Sequence, residues 1–189
     1  MVGWLALALP WLVALLLWML PPSISATYFT YEAGPVFMIV LGSASILLFA
    51  YRGYEKIDDI INSIAAAFGL LICLFPTYNS MLDYVGTFQV PVAISSAIHN
   101  IAAFAFFGLL SFNSLFLFTK TGGEMTAEKK KRNIIYRVCG IGMLASFLLL
   151  LLPNFYFKVW LVEAIALLFF GFSWLTKADA YSWLFADKH

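Results

Sequence analysis

Charge is scarce in this chain: only 11% of its 189 residues are Asp, Glu, Lys or Arg, and no stretch is long and polar enough to form a soluble domain. With 63% hydrophobic residues and a mean hydropathy of +0.92, the chain falls outside the range of soluble globular proteins. The net charge of +1 gives no electrostatic reason to expect nucleic acid as a partner. Histidine is nearly absent, with His99 and His189 alone, and the latter is the last residue. A zinc hydrolase needs about three protein ligands with histidine favoured, so zinc is not expected, and haem is disfavoured for the same reason. No metal or other cofactor is expected. The two cysteines, Cys73 and Cys139, lie inside different apolar runs and read as small packing residues rather than as a disulfide or metal pair. No internal repeat is visible, which weakens an inverted-repeat transporter reading.

What is abundant is apolar sequence in long runs, each able to cross a ~30 Å hydrocarbon core as a helix. Six spans are expected, at about 2–20, 35–51, 60–77, 91–118, 133–152 and 156–176, making one all-α polytopic domain over 1–189. The first run resembles a signal peptide, with Ser23-Ile24-Ser25-Ala26 as a cleavage-like site. It has no Lys or Arg ahead of it and is too long for a typical signal core, so it is expected to be a retained helix.

Of the 11 Lys and Arg residues, all but Lys158 fall on one side of this threading. They are Arg52 and Lys56, then Lys120, Lys129 to Arg132 and Arg137, then Lys177 and Lys188. The positive-inside rule therefore predicts both termini cytoplasmic, and the expected location is the plasma (inner) membrane. Lys129-Lys130-Lys131-Arg132 reads first as a topology determinant, with attraction to anionic headgroups as the functional alternative. The dense turn from Tyr51 to Asp59 is expected to pair its charges locally or with Arg132 and Arg137. Trp174, Tyr181 and Trp183 on the inner side, and Tyr28, Tyr31, Tyr78, Tyr84 and Trp160 on the outer, fit interfacial belts.

Close helix packing in lipid relies on small side chains sharing a face. Asn62, Ala66, Gly69, Cys73 and Thr77 form such a line on the third span, and Cys139, Gly142 and Ser146 on the fifth. Gly42 and Ser45 mark the second span and Gly171 the sixth. This pattern predicts a six-helix bundle with the third and fifth helices central.

His99 and Glu163 are the ionisable residues set well inside apolar spans, and such residues rarely occur in hydrocarbon without a partner or a task. Both lie at similar depth in the outer half. The fourth span is also the most polar, with Ser95, His99 and Asn113 on one arc and Ser96, Asn100, Ser111 and Ser114 beside it. Three readings of the pair stand. It is a structural His–Glu hydrogen bond. It belongs to a ligand or headgroup site, with Glu32, Asp83, Asn79, Asn154 and Lys158 at the outer rim. Or it is catalytic, with His99 as general base and Glu163 orienting it.

Gly86-Thr87-Phe88-Gln89, followed ten residues later by His99 in a long helix, resembles the DRAM family (damage-regulated autophagy modulators) and its relatives in GPI-anchor lipid remodelling. Glu32-Ala33-Gly34-Pro35 resembles the family's first outer loop, although the chain lacks that loop's greater length. Lys131-Arg132-Asn133 and Ser173-Trp174 look like small bacterial six-helix proteins of the same broad group. The resemblance implies a six-helix topology and a lipid-facing role, not a mechanism. The expectation is a membrane protein recognising a lipid or lipid-linked group in the outer half of the bundle, at His99, Glu163, Asn100, Ser96, Gln89, Glu32 and Asp83. The alternatives are a membrane-embedded lipid hydrolase or acyltransferase using His99 and Glu163, or a structural subunit. Its partners would be membrane lipids, a lipid-linked substrate, and another membrane protein or a second copy of the chain.

Overall fold

Helix starts and stops follow local chemistry more closely than the edges of the apolar runs do. In the computed structural model, which describes residues 1–121 and 123–179, six α-helices succeed one another: α1 Val2–Leu17, α2 Gly34–Ala50, α3 Lys56–Leu74, α4 Val92–Phe112, α5 Ala127–Ser146 and α6 Lys158–Lys177. Tyr181, Trp183, Lys188 and His189 lie outside the described residues. α3 begins four residues before the expected edge because Glu55 and Asp58 form a capping box that satisfies its first N–H groups. α5 likewise begins early, where the Thr126 hydroxyl accepts from the Lys129 N–H. α1 ends in a left-handed residue, Trp18, with the paired N–H bonds from Trp18 and Met19 that close a helix C-terminus.

α4 runs on through a π-helical turn, Asn113–Leu117, and α5 through a 3₁₀ turn, Phe147–Leu151. A short 3₁₀ helix, Ser25–Phe29, lies in the α1–α2 connector. The α3–α4 connector forms a small hairpin, β1 Tyr84–Val85 against β2 Val90–Pro91. Its turn is the Gly86–Gln89 stretch. Gly86 sits at φ 75°, where a Cβ would also stand 2.9 Å from the Leu74 carbonyl oxygen, so glycine is required on both counts. The Gln89 side-chain amide donates to the Gly86 carbonyl at 2.9 Å, and the Phe88 ring lies 5.7 Å from that of Phe75.

Each helix packs on its neighbours in sequence, and α6 returns to pack on α1, so the six close into a ring. The directions alternate. Lys120, after α4, reaches Glu55 and Asp58 at the start of α3, and Asp179, after α6, pairs with Arg132 near the start of α5. At the opposite end the backbone N–H of Trp160, in α6, donates to the Pro22 carbonyl after α1. One end of the ring, here the basic end, therefore carries the α2–α3 and α4–α5 connections, and the far end carries the other three. α3 to α6 are long and apolar enough to cross a membrane; α1 and α2, at 16 and 17 residues, are apolar but shorter.

The ring corrects the expectation that α3 and α5 are central. The most buried of the four long helices is α6, with 61% of its apolar window inside the protein. The small residues serve neighbouring pairs instead: Gly69 of α3 meets Ser45 of α2, and Gly142 of α5 meets the Phe169 ring of α6. Gly42, by contrast, has nothing near it. α1 and α6 approach closely, where a Cβ on Gly3 would stand 2.8 Å from the Gly171 carbonyl and one on Gly171 would stand 2.9 Å from the Gly3 carbonyl. Backbone cannot yield as a side chain can. Gly171→Val is expected to cost about 1–3 kcal/mol through overpacking, read as a lower melting temperature of the purified protein. A melting temperature equal to that of the parent would show that α1 is not held at this crossing.

Trp174 and Trp160 also depart from the interfacial belt expected of them. Both are buried, Trp174 among the rings of Tyr51, Phe118 and Phe170 and Trp160 edge-on to Trp11 at 5.7 Å. Tyr31, Tyr78 and Tyr84 are exposed at the far end.

Candidate functional site

His99 lies seven residues into α4, roughly 10 Å along the helix axis from its start, and Glu163 five residues into α6, roughly 8 Å. Burial of either side chain in an apolar bundle demands hydrogen-bonding partners. Each has them, and neither is the other. His99 Nδ1 lies 2.8 Å from the carbonyl oxygen of Phe75, just past the end of α3. A carbonyl only accepts, so Nδ1 carries the hydrogen, and Nε2 of the neutral ring is left as an acceptor.

Glu163 is claimed from the other side. Its Oε2 accepts the Ile24 N–H at 2.5 Å, and its Oε1 accepts the Ser25 hydroxyl at 2.9 Å. These donors stand at the opening of the 3₁₀ helix in the α1–α2 connector, where backbone N–H groups have no partner within the helix. Among the described residues no hydrogen bond or ion pair joins His99 to Glu163. The expectation of a direct structural bond is replaced by two separate ties: α4 to the end of α3, and α6 to the α1–α2 connector.

The two side chains nevertheless face one space. His99, Asn100 and Glu163 line a cavity of about 260 Å³ with Ser23, Ser25 and Thr77 at its polar end. Its apolar walls come from α4 (Ala103, Phe104, Phe107), from the 3₁₀ turn after α5 (Phe147, Leu150) and from α6 (Val159, Val162). The floor is buried, with His99 3%, Phe107 7% and Val162 2% exposed, whereas the lip of Phe104 and Val159 is 56% and 41% exposed. The cavity thus opens on the side of the bundle between α4 and α6, where α5 has loosened into its 3₁₀ turn. Glu163, Ser25, Ala103 and Phe107 also border a second, apolar cavity of about 40 Å³ toward α1 and α2, so this group of side chains partitions the two.

The other expected site residues lie elsewhere. Ser96 is half-buried on α4 and does not line the cavity. Gln89 holds the hairpin turn, and Glu32 and Asp83 are exposed in far-end connectors. At the rim, Lys158 is buried and donates to the carbonyls of Leu150 and Leu152 and to Asn154 Oδ1 at 3.1, 3.0 and 2.6 Å, closing the end of the 3₁₀ turn after α5. Its ammonium is thereby a cap for that turn.

Sequence reasoning missed Ser23, Ser25 and the backbone of Ile24. The cleavage-like small-residue run is a hydrogen-bonding connector, and the two prolines before it, Pro21 and Pro22, with the hydroxyls after them, are the signal that marks it. As chemistry, the arrangement offers one imidazole acceptor, a primary amide, two hydroxyls not engaged by Glu163 (Ser23 and Thr77), and an apolar chamber. No serine or threonine hydroxyl is hydrogen-bonded to His99 among the described residues, so the site lacks an assembled nucleophile and base pair. Comparison with protein-family models, with curated proteins and with solved structures finds no match to this chain.

Proposed function

We propose that this protein is a six-span membrane protein, both termini cytoplasmic, that binds the polar part of a lipid or lipid-linked molecule in the cavity between α4 and α6. The observation that carries the reading is that His99, Asn100 and Glu163, with the hydroxyl residues Ser23, Ser25 and Thr77, share a cavity whose remaining walls are apolar and whose lip is exposed. Such a space suits a molecule with one hydrogen-bonding group and a hydrocarbon portion, entering from the hydrocarbon side. The orientation is supported by charge: all the Lys and Arg of the described residues except Lys158 belong to the basic end or its loops. α1 and α2 are short for a ~30 Å core, but each is held in the ring by a longer neighbour, and mismatch of a few Å is accommodated by local thinning of the bilayer. The Gly86–Gln89 turn and the His99 helix after it keep the resemblance to lipid-remodelling proteins as a second support.

The test is native mass spectrometry of the protein extracted with its lipids. The parent is expected to retain a lipid adduct. Ala103→Trp, which fills the cavity from its wall, is expected to lose that adduct, and His99→Ala to reduce it by about tenfold through the loss of one buried hydrogen bond to the ligand. Undiminished occupancy in Ala103→Trp would place the lipid elsewhere and overturn the proposal. Undiminished occupancy in His99→Ala alone would remove His99 from the site.

A further inference from the structure

A larger cavity than the one at His99 lies at the other end. At about 430 Å³ it falls within the range of about 300–1,000 Å³ usual for ligand sites. It is lined by four cations, Lys120, Lys129, Arg132 and Lys177, and by three carboxylates, Glu55, Glu124 and Asp179, with Tyr54, Tyr136, Thr121 and Thr126 between them. These residues come from the start of α3, the end of α4, the start of α5 and the end of α6, so the alternating ring builds the site.

The charges do not cancel in place. Lys120 is committed to Glu55 at 2.7 Å and to Asp58 at 3.1 Å, and these partners, Glu55 foremost, hold its ammonium above the ordinary lysine range. Arg132 is paired with Asp179 and Glu128. Lys129 and Lys177 are half-buried, and among the described residues neither reaches a carboxylate. Lys129 Nζ donates to the Phe118 carbonyl at 2.7 Å and lies 5.6 Å from the Tyr136 ring centre. Lys177 Nζ stands 4.1 Å over the Tyr54 ring and 5.3 Å from that of Phe118. Lys177 and Arg132 lie close enough to Lys129 for their charges to act on it. The like charges of Lys129, Lys177 and Arg132 oppose one another around this space; Asp58 and Asp179 act on Lys177 without pairing with it, and Glu124, which also lines the cavity, is exposed. An entering dianion relieves that repulsion.

The helical register sharpens this. Of the run Lys129-Lys130-Lys131-Arg132, only the first and last line the cavity, one helical turn apart, while Lys130 and Lys131 are exposed and point elsewhere. The N-terminus of α5 adds its positive dipole end through Thr126.

We propose that this cavity binds a phosphate-bearing group through Lys129 and Lys177. Recognition is by two ammonium groups presented over tyrosine rings, with the Arg132–Asp179 pair as a fixed wall. The chemistry is that of a phosphomonoester or pyrophosphate, whether on a lipid headgroup or free in solution.

The experiment uses the full chain in phosphatidylcholine nanodiscs and has two arms. In one, inorganic pyrophosphate is added to the solution; in the other, part of the phosphatidylcholine is replaced by phosphatidic acid. Thermal stabilisation as a function of concentration gives an apparent affinity in each. Binding is expected in at least one arm, which identifies the source. Lys129→Gln/Lys177→Gln is expected to weaken it by about tenfold or more, two charge-assisted hydrogen bonds being lost. Lys130→Gln/Lys131→Gln removes the same net charge from the same end of the bundle and is expected to leave it within about twofold, as suits exposed, screened charges. Stabilisation in neither arm overturns the proposal. So does an equal loss in the two double variants, since that is the behaviour of a diffuse basic surface.

Discussion

Replacing Glu163 by leucine is expected to remove about 3–5 kcal/mol of stability, the largest single-residue loss in the bundle. The carboxylate accepts from the Ile24 N–H and the Ser25 hydroxyl, and Ile24 is 2% exposed. Hydrogen bonds to a charged group contribute about 1.5–3 kcal/mol each, and the N–H left behind has no water to turn to. The loss should be graded. Glu163→Gln keeps one oxygen for the Ile24 N–H and offers an amide that the Ser25 hydroxyl can accept, so it should cost about 1–2 kcal/mol. Ser25→Ala, which deletes one donor and strands no backbone group, should cost about 1 kcal/mol. Reversible unfolding in mixed detergent micelles, followed by circular dichroism, measures all three. If Glu163→Leu unfolds at the same denaturing detergent fraction as the parent, the tie between α6 and the α1–α2 connector holds nothing, and Glu163 is present for its ligand alone.

That tie marks the boundary of what was legible in the sequence. The six helices were legible because each apolar run is long and each is broken by proline, glycine or charge. Their depth of burial was legible in part: of the line Asn62, Ala66, Gly69, Cys73 and Thr77 the first four are buried, while Thr77 lies past the end of α3 and is half-buried. Partnership between helices was not. Small residues announce that a close contact exists but do not say with which helix, and Gly3, which completes the α1–α6 crossing, lies outside any stripe. The same gap explains His99 and Glu163. Matched depth on two helices suggested a direct bond between them, whereas the partner of His99 and one of the two partners of Glu163 are backbone groups, which have no sequence signature. Phe75 presents a carbonyl because α3 has ended there, and Ile24 presents an N–H because a 3₁₀ helix begins there. Gly86-Thr87-Phe88-Gln89 shows the converse. This stretch, from which a family resemblance was expected, has a local reason for each of three residues, a positive φ, a ring in tilted contact with Phe75 and an amide closing the turn.

The basic end is expected to fail next most readily, at Asp58. This carboxylate is 3% exposed at the third position of α3 and accepts the N–H groups of Tyr54 and Glu55 at 2.9 and 3.2 Å as well as the Lys120 ammonium. Its own carbonyl accepts from the Asn62 amide at 2.7 Å, and Asn62 in turn accepts from Asn113 at 3.0 Å, where α4 turns π-helical. Asp58→Ala therefore removes the cap and slackens a buried chain of amides joining α3 to α4. A cap costs about 0.5–2 kcal/mol and a stranded N–H about 1–3, so a loss of about 2–4 kcal/mol is expected. Two companions divide the causes. Asp58→Asn keeps an acceptor for the N–H groups and gives up only the ion pair; Lys120→Met gives up that pair and the one to Glu55. Both are expected to lie close to the parent, because an exposed ammonium contributes little once screened. Should Lys120→Met instead match Asp58→Ala, the ion pair and not the cap would be what holds the turn from Tyr51 to Asp59. Salt then separates the two mechanisms: the effect of losing an ion pair shrinks as ionic strength rises, and that of losing a cap made to backbone N–H groups does not.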